Sequence, residues 1–255
     1  MNAAWLDWPI LWPAFLAGLL VLATHVPLGA QVLERGIVFI DLAIAQIAGI
    51  GVIAADAIGL QPQGWAVQAA ALMAALLGAL ALTWTERRWP QTQEALIGVL
   101  FVVASCVGLL LLAGNPHGGE HLKDLLVGQI LWVSASQLAA MALLTLLVLG
   151  LWFGARARLG RVGFYLLFAL AVTASVQLVG VYLVFTSLIV PALAVRGVRT
   201  RLRLPLAYAL GALGYALGLV LSARFDLPSG AVVVLAMAGL APLVPWAVRR
   251  AAERR

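Results

Sequence analysis

The stretch VGFYLLFALAVTASVQLVGVYLVFTSLIVPALAV, residues 162–195, carries no charged side chain and is flanked by Arg161 and Arg196. As one α-helix at roughly 1.5 Å per residue it would be about 51 Å long, whereas the hydrocarbon core of a bilayer is about 30 Å thick. Arginine collects on the cytoplasmic side of membrane proteins, so both ends are predicted to be cytoplasmic. The chain is therefore predicted to leave and return within this stretch. The reversal is placed near residues 177–180, and Pro191 predicts a short or broken returning leg.

The whole chain has the composition of an integral membrane protein. Hydrophobic residues make up 64% of its 255 residues and charged residues only 10%, whereas a soluble domain averages about 25% charged residues. Further apolar runs approach or exceed the length of a membrane span: residues 9–33, 37–55, 65–85, 95–113, 125–154, 204–223 and 227–248. We predict a single transmembrane domain over residues 1–255. Its expected fold is an all-α integral membrane bundle of about nine transmembrane helices with short re-entrant segments.

The distribution of basic residues predicts the topology. Of the 16 Lys and Arg residues, all except Lys123 and Arg224 fall in alternate short loops or at the C-terminus. This pattern predicts a multi-pass membrane protein with the N-terminus outside and the C-terminus cytoplasmic. The run 125–154 is too long for one simple crossing. Residues 125–133 are therefore predicted to dip into the membrane from outside before a full span begins.

Several chemistries are disfavoured by the motifs that the sequence lacks. It contains no Walker A motif, and Lys123 is its only lysine, so we do not expect it to hydrolyse ATP in the P-loop manner by itself. Cys106 is the only cysteine, which excludes an internal disulfide and a thiolate metal cluster. No permanently bound cofactor is expected.

One candidate metal motif is His117-x-x-Glu120-His121, the spelling of an inverted zinc-peptidase motif. Both histidines of such a motif occupy one helical face, but Pro116 and the two central glycines disfavour a helix. We interpret the segment as a solvated outer loop. Transient capture of a metal ion is an alternative, and an intramembrane metalloenzyme built on this motif is another.

Asp41 is the strongest candidate for a functional buried charge, because ionisable groups within a bilayer are costly and mark functional sites. On a helix it shares one face with Ala45, Ala48, Val52 and Asp56, and such a narrow, partly polar face suits a helix that lines a pathway. Gln46 lies near it in height but is rotated away. The alternative is a structural role, in which Asp41 caps a packing interface or pairs with an arginine such as Arg35.

The remaining polar candidates are weaker signals. His25 lies near the inner end of the first span, where it either binds a metal ion or hydrogen-bonds to a backbone carbonyl. Asp56 and Glu94 lie at span ends and are predicted to be solvated. Gly214-x-x-x-Gly218 provides a small-residue face for close helix packing.

Five stretches, taken in order along the chain, carry a family resemblance. They are PLGAQVLERGIVFIDLAIAQIAGIG, EALIGVLFVVAS, HLKDLLVGQILWVSASQL, VQLVGVYLVFTSLIVPALAV and FDLPSGAVVVLAMAG. Together they resemble the metal-ion ABC importer permeases of the zinc/manganese (ABC-3) family. The resemblance implies a type II ABC importer permease fold and a homodimer. It also implies a cytoplasmic ABC ATPase subunit that binds ATP, an extracytoplasmic metal-binding protein, and a divalent metal ion as the transported substrate.

The chain departs from the family pattern at the metal gate. The family usually carries Gly-Asp-x-x-x-His in its second helix, and alignment on Phe39 and Gly51 puts Asp41 at the glycine position. Leu42 then stands at the aspartate position and Gln46 at the histidine position. The outer Phe-Gly-Asp pattern becomes Val-Gly-Gln at residues 127–129. We predict Asp41 with Gln46 as the replacement pathway or gate, with His25, His117 and His121 as weaker metal candidates. An oxygen-only site favours manganese or iron over zinc.

A compressed inner loop, FGARARLGRVG at residues 153–163, stands where the family has a longer coupling helix. Arg156, Arg158, Gly160 and Arg161 are therefore predicted to contact the ATPase, with residues 196–203 as a second candidate region. The alternative is that these arginines only set the topology. Loss of the family histidine also leaves open a wider pathway for a metal chelate or a cobalamin-like molecule. A structural membrane subunit without a pathway is the last alternative.

Overall fold

The computed structural model describes residues 7–58, 64–112 and 126–253, and no strand occurs among them. The α-helices are α1 Trp8–Arg35, α2 Ile40–Ala57, α3 Trp65–Arg88, α4 Gln93–Leu112, α5 Ala135–Val179, α6 Val181–Ala194, α7 Thr200–Phe225, α8 Ser229–Leu240 and α9 Leu243–Glu253. Short 3₁₀ turns lie at Pro90–Thr92 and Ile130–Trp132.

The number of candidate membrane crossings agrees with the prediction. Within the described ranges, 7 helical segments are long and apolar enough to cross a bilayer: Trp8–Arg35, Trp65–Arg88, Pro90–Leu112, Ala135–Ala155, Arg158–Val179, Thr200–Phe225 and Ser229–Val248. Helices α2 and α6 add two shorter apolar segments of 18 and 14 residues. The prediction of an all-α polytopic bundle with about nine membrane helices is therefore confirmed.

Two glycines interrupt the long apolar stretches. Helix α5 has 45 residues and would be about 68 Å long if it were straight. Gly160, with φ 56° and ψ −158°, interrupts this helix. We call its two apolar segments α5a, Ala135–Ala155, and α5b, Arg158–Val179, and the interruption lies near the start of α5b. Gly180, with φ 81° and ψ 161°, separates α5b from α6. Both conformations are essentially restricted to glycine, and the break at Gly180 falls where the sequence predicts the chain to reverse direction.

Small residues bring several helices into close contact. Gly214 and Gly218 of α7 face α8, and a Cβ added to either glycine would collide with side chains or backbone of that helix, such as Val233. In α1, Gly18 lies against the ring of Tyr215 from α7, which is fully buried. Membrane helices associate through such close packing because lipid supplies no hydrophobic drive between them. The packing role predicted for Gly214-x-x-x-Gly218 is confirmed.

Three glycines from separate parts of the chain form what we name the glycine crossing: Gly128, Gly180 and Gly230. Gly128 precedes the second 3₁₀ turn, Gly180 separates α5b from α6, and Gly230 lies in the first turn of α8. A Cβ on Gly180 would lie 2.9 Å from Gly128 Cα, and a Cβ on Gly230 would overlap the carbonyl oxygen of Val127. The buried Ile130 follows, in a turn that packs against α1 and α8. The segment predicted to dip into the membrane is thus held inside the bundle by backbone contact.

Candidate functional site

Asp41 is enclosed in the first turn of α2. Its side chain is 1% exposed, and neither carboxylate oxygen has a hydrogen-bond partner among the residues that the structure describes. Two residues earlier, Phe39 stacks on Phe185 of α6 with ring centroids 6.4 Å apart. A buried carboxylate without a partner is costly unless a proton or a cation neutralises it. The carboxyl group is therefore placed either to hold a proton or to bind a cation.

The suggested pairing of Asp41 with Arg35 is wrong. The guanidinium of Arg35 lies 4.1 Å from the ring centroid of Phe164 in α5b, while both Asp41 oxygens are unpartnered. A cation–π contact of this kind contributes roughly 0.5–2 kcal/mol, and here it joins the end of α1 to the start of α5b. The structural explanation of Asp41 thus loses the partner that it named.

The face of α2 that carries Asp41 is covered by other helices. Ala45 and Ala48 are 3% and 4% exposed. Gly51 lies so close to α3 that an added Cβ would be 2.6 Å from the carbonyl oxygen of Ala70. Gln46 is only half-buried, and five residues of helix place it about 140° around the axis from Asp41. The two predicted gate residues therefore do not point to one common position from this helix.

Glu94 of α4 has a role that the sequence analysis missed. Its Oε1 accepts a hydrogen bond from the N–H of Phe39 at 3.4 Å, and its Oε2 is buried. The N–H groups at a helix N-terminus lack partners within their own helix, so Glu94 caps the helix that carries Asp41. The prediction of a solvated Glu94 is wrong. Because the bonded residues are 55 positions apart, no local pattern could have indicated this cap.

His25 is fully buried in α1. Its Nδ1 lies 2.9 Å from the carbonyl oxygen of Val21 and 3.0 Å from Thr24 Oγ1. Because a carbonyl oxygen can only accept, Nδ1 carries the proton and Nε2 presents a lone pair. Nε2 is buried and has no hydrogen-bond partner among the described residues. This arrangement satisfies the backbone and also leaves the nitrogen that a metal ion would need.

The other metal candidates cannot be placed in this way. His117 and His121, with Glu120 between them, lie outside the described residues. In the described part of the chain, no three His, Cys, Asp or Glu side chains gather as a metal-binding group. Asp41 and His25 are therefore considered as single contacts for a passing ion.

The residues predicted to contact an ATPase surround the break in α5. Gly160 is exposed at the break, Arg158 and Arg161 are exposed beside it, and Arg156 lies in the preceding turn of the helix. In the second candidate region, Arg196 is exposed in the turn between α6 and α7. Both regions thus present positive charge at helix ends.

Two buried polar contacts have no signal in the sequence. Tyr215 OH of α7 and Ser187 Oγ of α6 lie 2.9 Å apart. Gln93 Nε2 donates to Tyr165 OH at 3.2 Å and to the carbonyl oxygen of Leu82 at 3.1 Å, which joins α4 to α5b and α3. Polar groups at membrane depth require partners within the protein, and these contacts supply them.

The chain is similar in sequence and fold to known membrane proteins. The profile of the ABC 3 transport family matches residues 7–159 and 153–246. An uncharacterised membrane protein of Synechocystis sp. is 29% identical, over 93% of this chain and 90% of the relative. The manganese transport system membrane protein MntC of Halalkalibacterium halodurans is 27% identical, over 90% of this chain and 84% of the relative. The structure of PsaBC from Streptococcus pneumoniae in complex with Fab has a TM-score of 0.75 at 21% identity, covering 96% of this chain and 95% of that chain.

Proposed function

Because the chain belongs to the ABC 3 transport family, we propose that it is the membrane-spanning permease subunit of an importer that moves a divalent metal ion across the cytoplasmic membrane. Similarity to a protein named as a manganese transport component, over most of both chains, supports a metal ion as the substrate. Manganese, iron and zinc are the candidate ions. The observation that carries the mechanism is the enclosed, unpartnered carboxylate of Asp41.

Asp41 gives the ion a negatively charged contact at membrane depth. A divalent cation that passes α2 would exchange part of its water shell for this carboxylate, and the attraction between opposite charges is strong in a low-dielectric interior. Gln46 adds an amide oxygen on a different side of the helix. Oxygen ligands favour manganese or iron over zinc, whereas the free Nε2 of His25 would add an imidazole ligand in another part of the bundle.

The transport cycle is divided among separate subunits in this proposal. A cytoplasmic ABC ATPase binds and hydrolyses ATP and docks on Arg156, Arg158, Gly160 and Arg161. An extracytoplasmic metal-binding protein delivers the ion, and two copies of the permease form the pathway. The N-terminus faces outside and the C-terminus faces the cytoplasm, as the distribution of arginine predicts.

Metal uptake tests the role of Asp41. The chain would be produced with its ATPase and binding protein in cells that lack their own manganese importer, and uptake of radioactive manganese would be measured. Asp41→Asn preserves the shape of the side chain and removes its charge, so uptake should fall roughly tenfold or more, the effect of losing one charge-assisted contact. Asp226→Asn is the matched control, because Asp226 is an exposed acid directly after α7, and asparagine tolerates its positive φ of 53°.

Each alternative has its own outcome. Full uptake by Asp41→Asn, at equal protein level in the membrane, would remove Asp41 from the pathway. Uptake of manganese only as a chelate, or of a cobalamin in its place, would favour the wider substrate class. Substitution of His117 and His121 by alanine separates the metalloenzyme alternative, since an enzyme built on that motif would lose all activity and a permease would at most lose affinity.

A further inference from the structure

A cavity of about 540 Å³ lies between α1, α5a, α6 and α7, at the helix ends that the arginine pattern places on the cytoplasmic side. We call it the inner cavity. Residues of four helices line it, so it is a property of the assembled bundle. Its lining combines apolar and charged side chains, and the transport pathway proposed along α2 does not include it.

The apolar part of the inner cavity opens toward the outer surface of the bundle. Leu33, Phe153 and Leu204 belong to its lining. Phe153 is 63% exposed and Leu204 is 39% exposed. In a membrane these two side chains meet hydrocarbon. An acyl chain of the surrounding lipid therefore reaches the cavity without crossing a polar barrier.

The polar part contains both signs of charge. Arg196 and Arg203 line the cavity together with Glu34. Arg203 is oriented by a hydrogen bond from its Nε to the carbonyl oxygen of Val198 at 2.9 Å. Glu34 accepts from Gln31 Nε2 at 3.4 Å. Arginine is well suited to bind phosphate, and a carboxylate is suited to bind an ammonium group.

We propose that the inner cavity binds one phospholipid whose headgroup carries both a phosphate and a primary ammonium group. Arg196 and Arg203 bind the phosphate, Glu34 binds the ammonium group, and Phe153 with Leu204 cover the first part of an acyl chain. Basic pockets between membrane helices on the cytoplasmic side are a known form of headgroup site. The carboxylate of Glu34 disfavours a lipid that bears negative charge alone, and this distinguishes the site from a general basic patch.

Lipid retention by the purified chain tests the proposal without the ATPase, the binding protein or metal. The protein would be equilibrated with equal amounts of phosphatidylethanolamine, phosphatidylcholine and phosphatidylglycerol, and then purified in mild detergent. Its retained lipids would be counted by native mass spectrometry. The primary-amine lipid should be enriched over the other two. Glu34→Gln should reduce that enrichment about tenfold, the effect of losing one charge-assisted contact. Because no transport step is measured, failure here leaves the proposed function intact.

Four further variants locate the effect. Arg196→Gln combined with Arg203→Gln should lower retention of all three lipids, whereas Arg201→Gln, on the same helix but outside the cavity lining, should leave retention unchanged. Arg203→Lys keeps the charge and loses the geometry of the bond to Val198, so it should retain more lipid than Arg203→Gln. Equal losses of retained lipid in Arg203→Lys and Arg203→Gln would overturn the proposal. An unchanged lipid preference in Glu34→Gln, or a preference of the wild-type chain for phosphatidylglycerol, would overturn it as well.

Discussion

Replacing Gly180 with alanine should destabilise the bundle in two separate ways. With φ 81° and ψ 161°, the backbone occupies a region where a residue with a side chain costs of order 1–3 kcal/mol. The new methyl group would also lie 2.9 Å from Gly128 Cα and overlap Gly128 N. Forcing an extra methyl group into packed surroundings costs roughly another 1–3 kcal/mol. The expected total loss of unfolding free energy is therefore roughly 2–6 kcal/mol.

Gly160→Ala is the matched control for this experiment. Gly160 has a similar backbone conformation, with φ 56° and ψ −158°, but an added Cβ would have no tertiary contact within 4 Å among the described residues. It should therefore show the backbone cost alone. Both variants would be purified in detergent and unfolded by heat while tryptophan fluorescence is recorded.

The difference between the two melting temperatures measures the steric contribution. In a chain of this size each kcal/mol lowers the melting temperature by roughly 2–4 °C, so Gly180→Ala should melt about 2–12 °C below Gly160→Ala. Equal melting temperatures would refute the reasoning, because they would show that the backbone at Gly128 does not resist the methyl group. A lower melting temperature for Gly160→Ala would refute it as well.

Three further predictions concern contacts between helices, each measured by the same unfolding assay. Gly218→Ala should destabilise the chain because the methyl group meets α8. Gly239 is an exposed helix position with open space around it, so Gly239→Ala should stabilise the chain by up to about 1 kcal/mol. Changes of unfolding free energy with the same sign in both variants would contradict the packing argument. A double-mutant cycle with Tyr215→Phe and Ser187→Ala should give a coupling energy of about 0.6 kcal/mol, typical of hydrogen bonds between membrane helices, and a value near zero would show that the observed bond contributes nothing. Gln93→Leu should lower the unfolding free energy by roughly 1–3 kcal/mol, more than Tyr215→Phe or Ser187→Ala alone, because it leaves buried polar groups without partners. An unchanged unfolding free energy would indicate that water replaces the amide.

The architecture could be predicted because apolar length and arginine position are properties of the sequence itself. The flanking Arg161 and Arg196 require the intervening stretch to be interrupted, and the structure places that interruption at Gly180. Gly214-x-x-x-Gly218 likewise predicts a close helix contact from composition and spacing alone. Both inferences depend on lengths and residue sizes, which do not change when the chain folds.

The candidate site could be predicted only in part, because its contacts join residues that are distant in the sequence. Asp41 was identified from its charge within an apolar run. The packing of α1, α4 and α5b places Arg35 against Phe164 instead and brings Glu94 to the start of α2. The conformation of Gly128 was equally hidden, because a glycine in a sequence does not reveal whether its φ is positive.

The glycine crossing also determines how this bundle can move. The segments there touch through backbone atoms, so no change of side-chain rotamer can separate them. Any rotation at this point must therefore turn the segments together. Helix α6 extends from the glycine crossing for 14 residues, about 21 Å, so a rotation of about 10° would displace its far end by about 4 Å. Its far end adjoins Arg196, and near the start of α5b a Cβ added at Gly160 would meet no atom of another described segment within 4 Å. A rotation at the glycine crossing would thus be largest at the helix ends where the arginines are exposed.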